Sequence, residues 1–226
     1  MMSELGDMMN QALKARDEII KELLEAHGKA IKAQRPNLST EKPTKWSLDV
    51  LMSIEWKRFE EFCKEYIKAH GWDAQLTQIG ADGGVDIEIY QNGKIYGLVQ
   101  CKAWITKIGV KELRELYGVM ASRKITDGTF FTTSSYTQEA FTFAQENKID
   151  LHDSESLMNG IEKLTTEQQQ HLLKVATIGD YTTPTCPNCN IKMVVKFARN
   201  TRGEFWGCIN FPRCRNTIQM RRNYFM

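Results

Sequence analysis

Two groups of residues in this chain have the types and spacing for chemistry. The first lies in the runs VDIEIY (85–90) and IYGLVQCKAW (95–104), which carry Asp86, Gln100 and Lys102 on neighbouring strands. A carboxylate, an amide oxygen and an ammonium gathered on one face suit phosphodiester hydrolysis. Asp86 is the residue to hold a hard divalent cation, Mg²⁺ first among them, which would also bind the scissile phosphate and lower the pKa of a water. Lys102 would orient that water or stabilise charge developing on the phosphate. The same residue types also serve an ordinary ion pair at a sheet edge, and spacing alone leaves both readings open.

Strand alternation decides whether these groups meet. Asp86, Glu88 and Tyr90 share one face of the first run, while Gln100 and Lys102 share one face of the second. A two-residue Asn92-Gly93 turn would pair Asp86 with Val99 and send Lys102 to the far side. A three-residue loop of Gln91, Asn92 and Gly93, with Gly93 left-handed, pairs Asp86 with Leu98 and keeps all three groups together. The three-residue loop is the expected register.

The preceding helix adds an acid. Over 53–70, with Ser53 as N-cap, Trp56, Phe59, Cys63 and Ile67 recur at helical spacing, and Gly71 follows the end. Lys57, Glu61, Lys64 and Lys68 form the wet face, whereas Glu60 falls in line with Trp56, Cys63 and Ile67, on the side expected to face the sheet. A carboxylate there needs Lys102, or a metal and its waters, to offset its burial. An error of helix phase would return it to solvent. Among the other polar residues, Asp82 shapes the loop ADGG and Glu88 stands as an outer group of the site. His70 and His152 have no spaced partner, and Thr132, Thr133, Ser134 and Ser135 read as the end of a buried strand.

The second group is cysteine. Cys186-x2-Cys189 and Cys208-x5-Cys214 offer four thiolates in two pairs, as a tetrahedral structural Zn²⁺ requires. Met193, Val195 and Phe197 alternate between the pairs and read as one arm of a hairpin. Too few apolar residues remain for an independent core, so metal must supply much of the folding free energy. Cys63 and Cys101 stand alone and read as small buried hydrophobes.

Stepping outward, 73–78, 85–90 and 95–104 read as strands, 110–122 as a helix and GTFFTTSS as a short buried strand. TQEAFTFAQENK then reads as a helix and IDLH as a last strand. That order fits an α/β fold with a mixed central sheet flanked by helices, followed by a small zinc-ribbon-like module. The expected divisions are an N-terminal helix and linker (1–45), a main domain (46–165), a helical connector (166–183) and the cysteine module (184–226). Residues 4–34 carry a weak 4,3 seam of Leu5, Met9, Ala12, Arg16, Ile19, Leu23, Ala26 and Ala30, suited to pairing two copies or to covering part of the core.

The 226 residues carry a net charge of only +2, but the distribution is uneven. From Cys186 onward the chain holds +7, and the remainder holds −5. A basic end of this kind attracts phosphates without regard to sequence. No apolar run approaches the roughly 18 residues of a membrane span, and the mixed charges at the start do not form a secretory signal. A cytoplasmic protein with no membrane association is expected.

The blocks FEEFCKEYIKAHGW, GADGGVDIEIY, LVQCKAW, VKELRELYGVMAS and FFTTSSYTQEAFTFAQENKIDLHDSESL, in this order over about 50–162, resemble the catalytic domain of Mrr-type restriction endonucleases. That resemblance implies the restriction-endonuclease-like fold, with Asp86, Gln100 and Lys102 at the active-site positions and Glu60 as the acid of the leading helix. Many relatives in the wider fold carry Glu where this chain has Gln100, although Gln is common within the Mrr group. The stretch CPNCNIKMVVKFARNTRGEFWGCINFPRC resembles the C-terminal zinc fingers of bacterial type I topoisomerases, which implies DNA binding through exposed aromatics and basic residues. Arg199, Arg202, Phe205, Trp206, Phe211, Arg213 and Arg215 are the candidates, with one or two of the aromatics free of the small core. The resemblances together imply a Mg²⁺-dependent endodeoxyribonuclease, plausibly in restriction of foreign DNA, with a zinc finger holding the substrate. The alternatives are a non-catalytic DNA-binding or repair-assembly protein on the same fold, or a scaffold dimerised through 4–34.

Overall fold

The computed structural model describes residues 42–77, 84–198 and 203–220, so the seam at 4–34, Asp82, Arg199 and Arg202 lie outside the described residues. A short helix, α1 (Leu48–Ser53), begins at Ser47, whose hydroxyl accepts from Val50 N at 3.2 Å. The main helix, α2 (Trp56–Ala69), is capped by Glu55 rather than by Ser53. Ser53 is spent elsewhere, because its hydroxyl donates to Val50 O at 2.7 Å as the last residue of α1. The chain then extends through Ile54 before α2 starts.

A five-stranded sheet follows in the order β1 (Asp73–Leu76), β2 (Ile87–Gln91), β3 (Lys94–Lys102), β4 (Asp127–Thr132), β5 (Ile149–His152). The first three strands pair antiparallel and the last three parallel. The parallel pairs need crossovers, supplied by α3 (Val110–Arg123) and α4 (Gln138–Glu146). Leu113, Leu116, Met120 and Ala140 of these helices pack with Leu98, Phe130 and Ile149 of the sheet. A second apolar cluster joins Ile87, Val99, Cys101 and Phe131 to Phe59, Phe62 and Cys63 of α2. It also takes in Leu157 and Ile161 of α5 (Ser154–Glu162) and Leu172 and Ala176 of α6 (Thr166–Thr177). Thus α6, expected as a connector, packs into the main core. Among the described residues no helix is long and apolar enough to cross a membrane.

The β2–β3 hairpin corrects the expected register. Its turn is the two-residue Asn92-Gly93, both with positive φ (52° and 72°), and Gln91 pairs with Lys94. The pairing then slips: Tyr90 faces Ile95 but Ile89 faces Gly97, so Tyr96 is an extra residue on β3. From there Ile87 faces Val99, which brings Asp86 level with Gln100 instead of Leu98. A tight turn alone would have separated the site residues, and the bulge restores their alignment.

The cysteine module forms a three-stranded antiparallel sheet of β6 (Val194–Phe197), β7 (Glu204–Gly207) and β8 (Thr217–Gln219). Its core consists of Cys186, Met193, Cys208 and Cys214, with Trp206 and Ile218 packed against them.

Candidate active site and metal centre

Asp86 sits immediately before β2, held to β3 by its own N–H, which donates to Val99 O at 2.9 Å. Its Oδ2 accepts from Gln100 Nε2 at 2.6 Å and from Cys101 N at 2.7 Å. Gln100, only 6% exposed, spends its amide N–H on Asp86 and so keeps Oε1 as an acceptor. Gly84, at φ +97°, leaves room beside that oxygen: a Cβ there would stand 3.4 Å from Gln100 Oε1.

Glu60 reaches the same place from α2. Burial, followed by the charge of Asp86, pushes its carboxyl up to about 9, and Lys102 opposes the rise. Burial also raises Asp86, to about 6, against the Cys101 N–H, the Lys102 charge and the Gln100 amide. Both carboxyls thus hold protons more tightly than free acids do, Glu60 the more so. The Lys102 ammonium makes no hydrogen bond or ion pair among the described residues, and its Nζ lies 5.7 Å from the centroid of the Trp104 ring. The structure therefore brings Glu60, Asp86, Gln100 and Lys102 together. It adds Gly84 and Trp104, which sequence reasoning missed; Trp104 shares the alternation of Gln100 and Lys102 along the chain, and that was the available signal.

Glu88 is drawn away from this cluster. It accepts from Tyr90 Oη at 2.6 Å and from the Arg123 guanidinium of α3. Despite burial, these partners hold its carboxyl below the usual range. Its role is an ion pair between sheet and helix. Thr132 and Thr133 spend their hydroxyls on Lys102 O and Trp104 O, both at 2.9 Å, and so tie down the strand end that carries Lys102. His152 stacks on Phe131 with centroids 4.7 Å apart, and His70 Nδ1 lies 2.9 Å from Tyr66 O.

The four cysteine sulfurs of the C-terminal module lie within 4.8 Å of one another, and Cys186 and Cys214 are 3.7 Å apart. Tetrahedral zinc with bonds of about 2.3 Å requires sulfurs about 3.8 Å apart, so the cluster fits that ion. Although burial opposes it, backbone N–H groups of Cys189 and Asn188 bring the Cys186 thiol down to about 7. Around this core Phe205 and Trp206 are half-buried, while Phe211 is 61% exposed and Arg213 and Arg215 are exposed. Lys196 Nζ lies 4.8 Å from the Phe211 ring, and a cavity of about 420 Å³ lies between Phe211, Pro212, Arg213 and the Cys189 side of the cluster. Phe197, expected in a hairpin arm, ends β6 and is exposed. Lys192, counted with the basic tail, instead pairs with Glu55 at 3.1 Å.

Two family models match these two parts of the chain. Residues 51–161 match the family described as restriction endonuclease, in its Mrr catalytic form, and residues 183–223 match the topoisomerase DNA-binding C4 zinc finger. Residues 51–161 are thus similar to restriction endonuclease domains of the Mrr type. The chain is also similar to a curated relative, the type IV methyl-directed restriction enzyme EcoKMrr of Escherichia coli (strain K12). The two are 33% identical over 138 residues, covering 57% of this chain and 45% of that enzyme. The uncharacterized protein y4cE of Sinorhizobium fredii (strain NBRC 101917 / NGR234) is 28% identical over 120 residues, 50% of this chain and 31% of that protein. The chain thus spans less than half the length of either curated relative. Among solved structures, the DNA modification-dependent restriction endonuclease AspBHI aligns with a TM-score of 0.40 at 19% identity, over 62% of this chain and 43% of that one. The MspJI restriction endonuclease in complex with a 27-mer oligonucleotide aligns with a TM-score of 0.38 at 17% identity, over 62% of this chain and 35% of that one.

Proposed function

We propose that this protein is a divalent-cation-dependent endodeoxyribonuclease, with Mg²⁺ as the working ion, that acts in restriction of foreign DNA while the C4 module holds the substrate. The observation that carries the reading is the meeting of Asp86, Gln100 and Glu60 beside the uncommitted ammonium of Lys102. Two carboxyls raised by burial, one of them raised further by the charge of the other, are an unfavourable pair that a divalent cation would relieve. The residues fit such an ion: Asp86 offers a carboxylate oxygen and Gln100 its Oε1. When bound, the cation supplies an acidified water and neutralises charge on the phosphate.

The chain's own groups do the rest. Once its own proton has passed to solvent, the Glu60 carboxylate would be able to accept a proton from a water. Lys102 directs its N–H donors at a phosphate oxygen, with the Trp104 ring beside its ammonium. Thr132 and Thr133 fix the backbone at Lys102 and Trp104, which keeps this geometry from drifting. The C4 module contributes Phe211, Arg213 and Arg215 as exposed stacking and phosphate-binding groups. The divisions 1–45, 46–165, 166–183 and 184–226, pairing of two copies through 4–34 and a cytoplasmic site of action belong to the same proposal.

The test is plasmid cleavage by zinc-loaded protein with and without Mg²⁺, beside Lys102→Ala. Because the Escherichia coli relative is named methyl-directed, methylated and unmethylated plasmids are both used. Mg²⁺-dependent nicking that falls by about a hundredfold or more in the variant supports the reading. Equal cleavage by both proteins overturns it. The neutral Gln100 favours one second reading, a non-catalytic DNA-binding protein, for which salt-sensitive binding without cleavage is expected.

A further inference from the structure

The C4 module is not a loose appendage of the nuclease domain. Glu55, just before α2, is 4% exposed and accepts four hydrogen bonds. One is the helix cap from Lys57 N at 3.2 Å, and the other three come from the module: Thr185 N at 3.1 Å, Thr185 Oγ1 at 2.9 Å and Lys192 Nζ at 3.1 Å. The next residue, Trp56, donates from Nε1 to Thr185 O at 2.7 Å, and Lys57 pairs with Asn190. A buried carboxylate satisfied in this way is costly to strip of its donors.

Every module residue in this junction belongs to the first metal-binding knuckle. Thr185 precedes Cys186, and Asn190 and Lys192 follow Cys189 closely. Asn190 N donates to Cys186 O and Cys186 N to Ile191 O, both at 2.8 Å, and Thr185 bridges Lys192. The metal that gathers the thiols therefore also fixes the three donors aimed at Glu55. Glu60 follows five residues later on the same helix, about 7.5 Å along its axis at 1.5 Å per residue.

We propose that the zinc-loaded knuckle clamps the N-terminus of α2, with Glu55 as the positioning residue through which zinc occupancy holds Glu60 in the acidic cluster. The proposal rests on the reading of that cluster as a divalent-cation site. Phe59, Phe62 and Cys63 anchor the rest of α2 in the core, so loss of the clamp loosens its first turns without unfolding the helix.

The test follows two readouts in the full chain, amide hydrogen exchange over 56–63 and Ca²⁺ affinity by calorimetry. Wild type is compared zinc-loaded and zinc-stripped, beside zinc-loaded Glu55→Gln and Trp56→Phe, with Co²⁺ spectra of the module confirming an intact thiolate site in each variant. Stripping zinc is expected to speed exchange over 56–63 and to weaken Ca²⁺ binding, each by about tenfold, and Glu55→Gln is expected to reproduce both with the thiolate site intact. Trp56→Phe, which retains a ring but loses the donor, gives a smaller change in the same direction. The clamp is overturned if stripping unfolds residues 184–198 while exchange over 56–63 and Ca²⁺ affinity stay at wild-type values, or if zinc-loaded Glu55→Gln matches wild type in both. Absence of Ca²⁺ binding to zinc-loaded wild type defeats the cation reading instead, and the exchange readout alone then decides the clamp.

Discussion

Glu60 and Asp86 form an acid pair whose proton affinities burial raises. Both carboxyls are raised above their unfolded values, to about 9 and about 6, so the folded chain binds their protons more tightly than the unfolded chain does. Stability from this source is complete below the unfolded values near 4 and is lost as pH climbs toward 9. Thermal unfolding of zinc-loaded protein without alkaline-earth ions is therefore expected to weaken from about pH 6.5 to 8.5, by on the order of 1 to 2 kcal/mol. Glu60→Gln should flatten that slope, and added Ca²⁺ should reverse it. A slope that persists unchanged in the variant places its origin elsewhere. Gln100 contributes neutrality to the same cluster. Gln100→Glu sets a third acid against Asp86, so calorimetry is expected to show Ca²⁺ binding tightened by about tenfold, while the cation-free protein loses about 1 to 2 kcal/mol in urea unfolding.

At the scale of elements, the hairpin between β2 and β3 is the device that assembles the site. A two-residue turn and an added residue at Tyr96 together place Asp86 level with Gln100. The turn was legible, since Asn-Gly favours two positive φ values. The bulge was not, because Tyr96 carries no local mark and the slip is set by how the strand continues beyond Gly97. Alternation did identify the strands, and helical periodicity placed Glu60 on the inner side of α2. The cap of that helix was misassigned because a carboxylate and a hydroxyl compete for the role, and only the fold shows Ser53 already bonded to Val50. Of the aromatic candidates, Trp206 serves the module core while Phe211 stays exposed, a division the sequence pattern does not encode. Gly84 is the remaining element-level feature. Gly84→Ala forces a side chain onto a φ of +97° and against Gln100 Oε1, so it is expected to cost about 1 to 2 kcal/mol in urea unfolding and to weaken Ca²⁺ binding. Unaltered stability and affinity would contradict that role.

Over the whole molecule, basic residues gather at the C-terminal end of the sequence, Glu60 and Asp86 lie on α2 and just before β2, and Glu55 bonds the C4 module to the start of α2. The eight basic residues from Cys186 onward are not equivalent. Arg213 and Arg215 are exposed, Arg213 lining a cavity with Phe211, whereas Lys192 is engaged with Glu55 and with Thr183 O at 2.8 Å. Fluorescence anisotropy on labelled DNA at several salt concentrations is expected to show the slope of log affinity against log salt falling by about one for each of Arg213→Ala and Arg215→Ala. Lys192→Ala should leave that slope in place. A slope lost with Lys192 but not with the arginines would reverse the assignment of the DNA-facing surface. The most direct measurement of the central claim is anomalous diffraction from crystals of the zinc-loaded protein soaked in Mn²⁺. The expected result is a manganese peak about 2.2 Å from a carboxylate oxygen of Asp86 and from Gln100 Oε1, absent in Asp86→Ala. A well-ordered site that shows no manganese there, in a protein that still cleaves DNA, would contradict it.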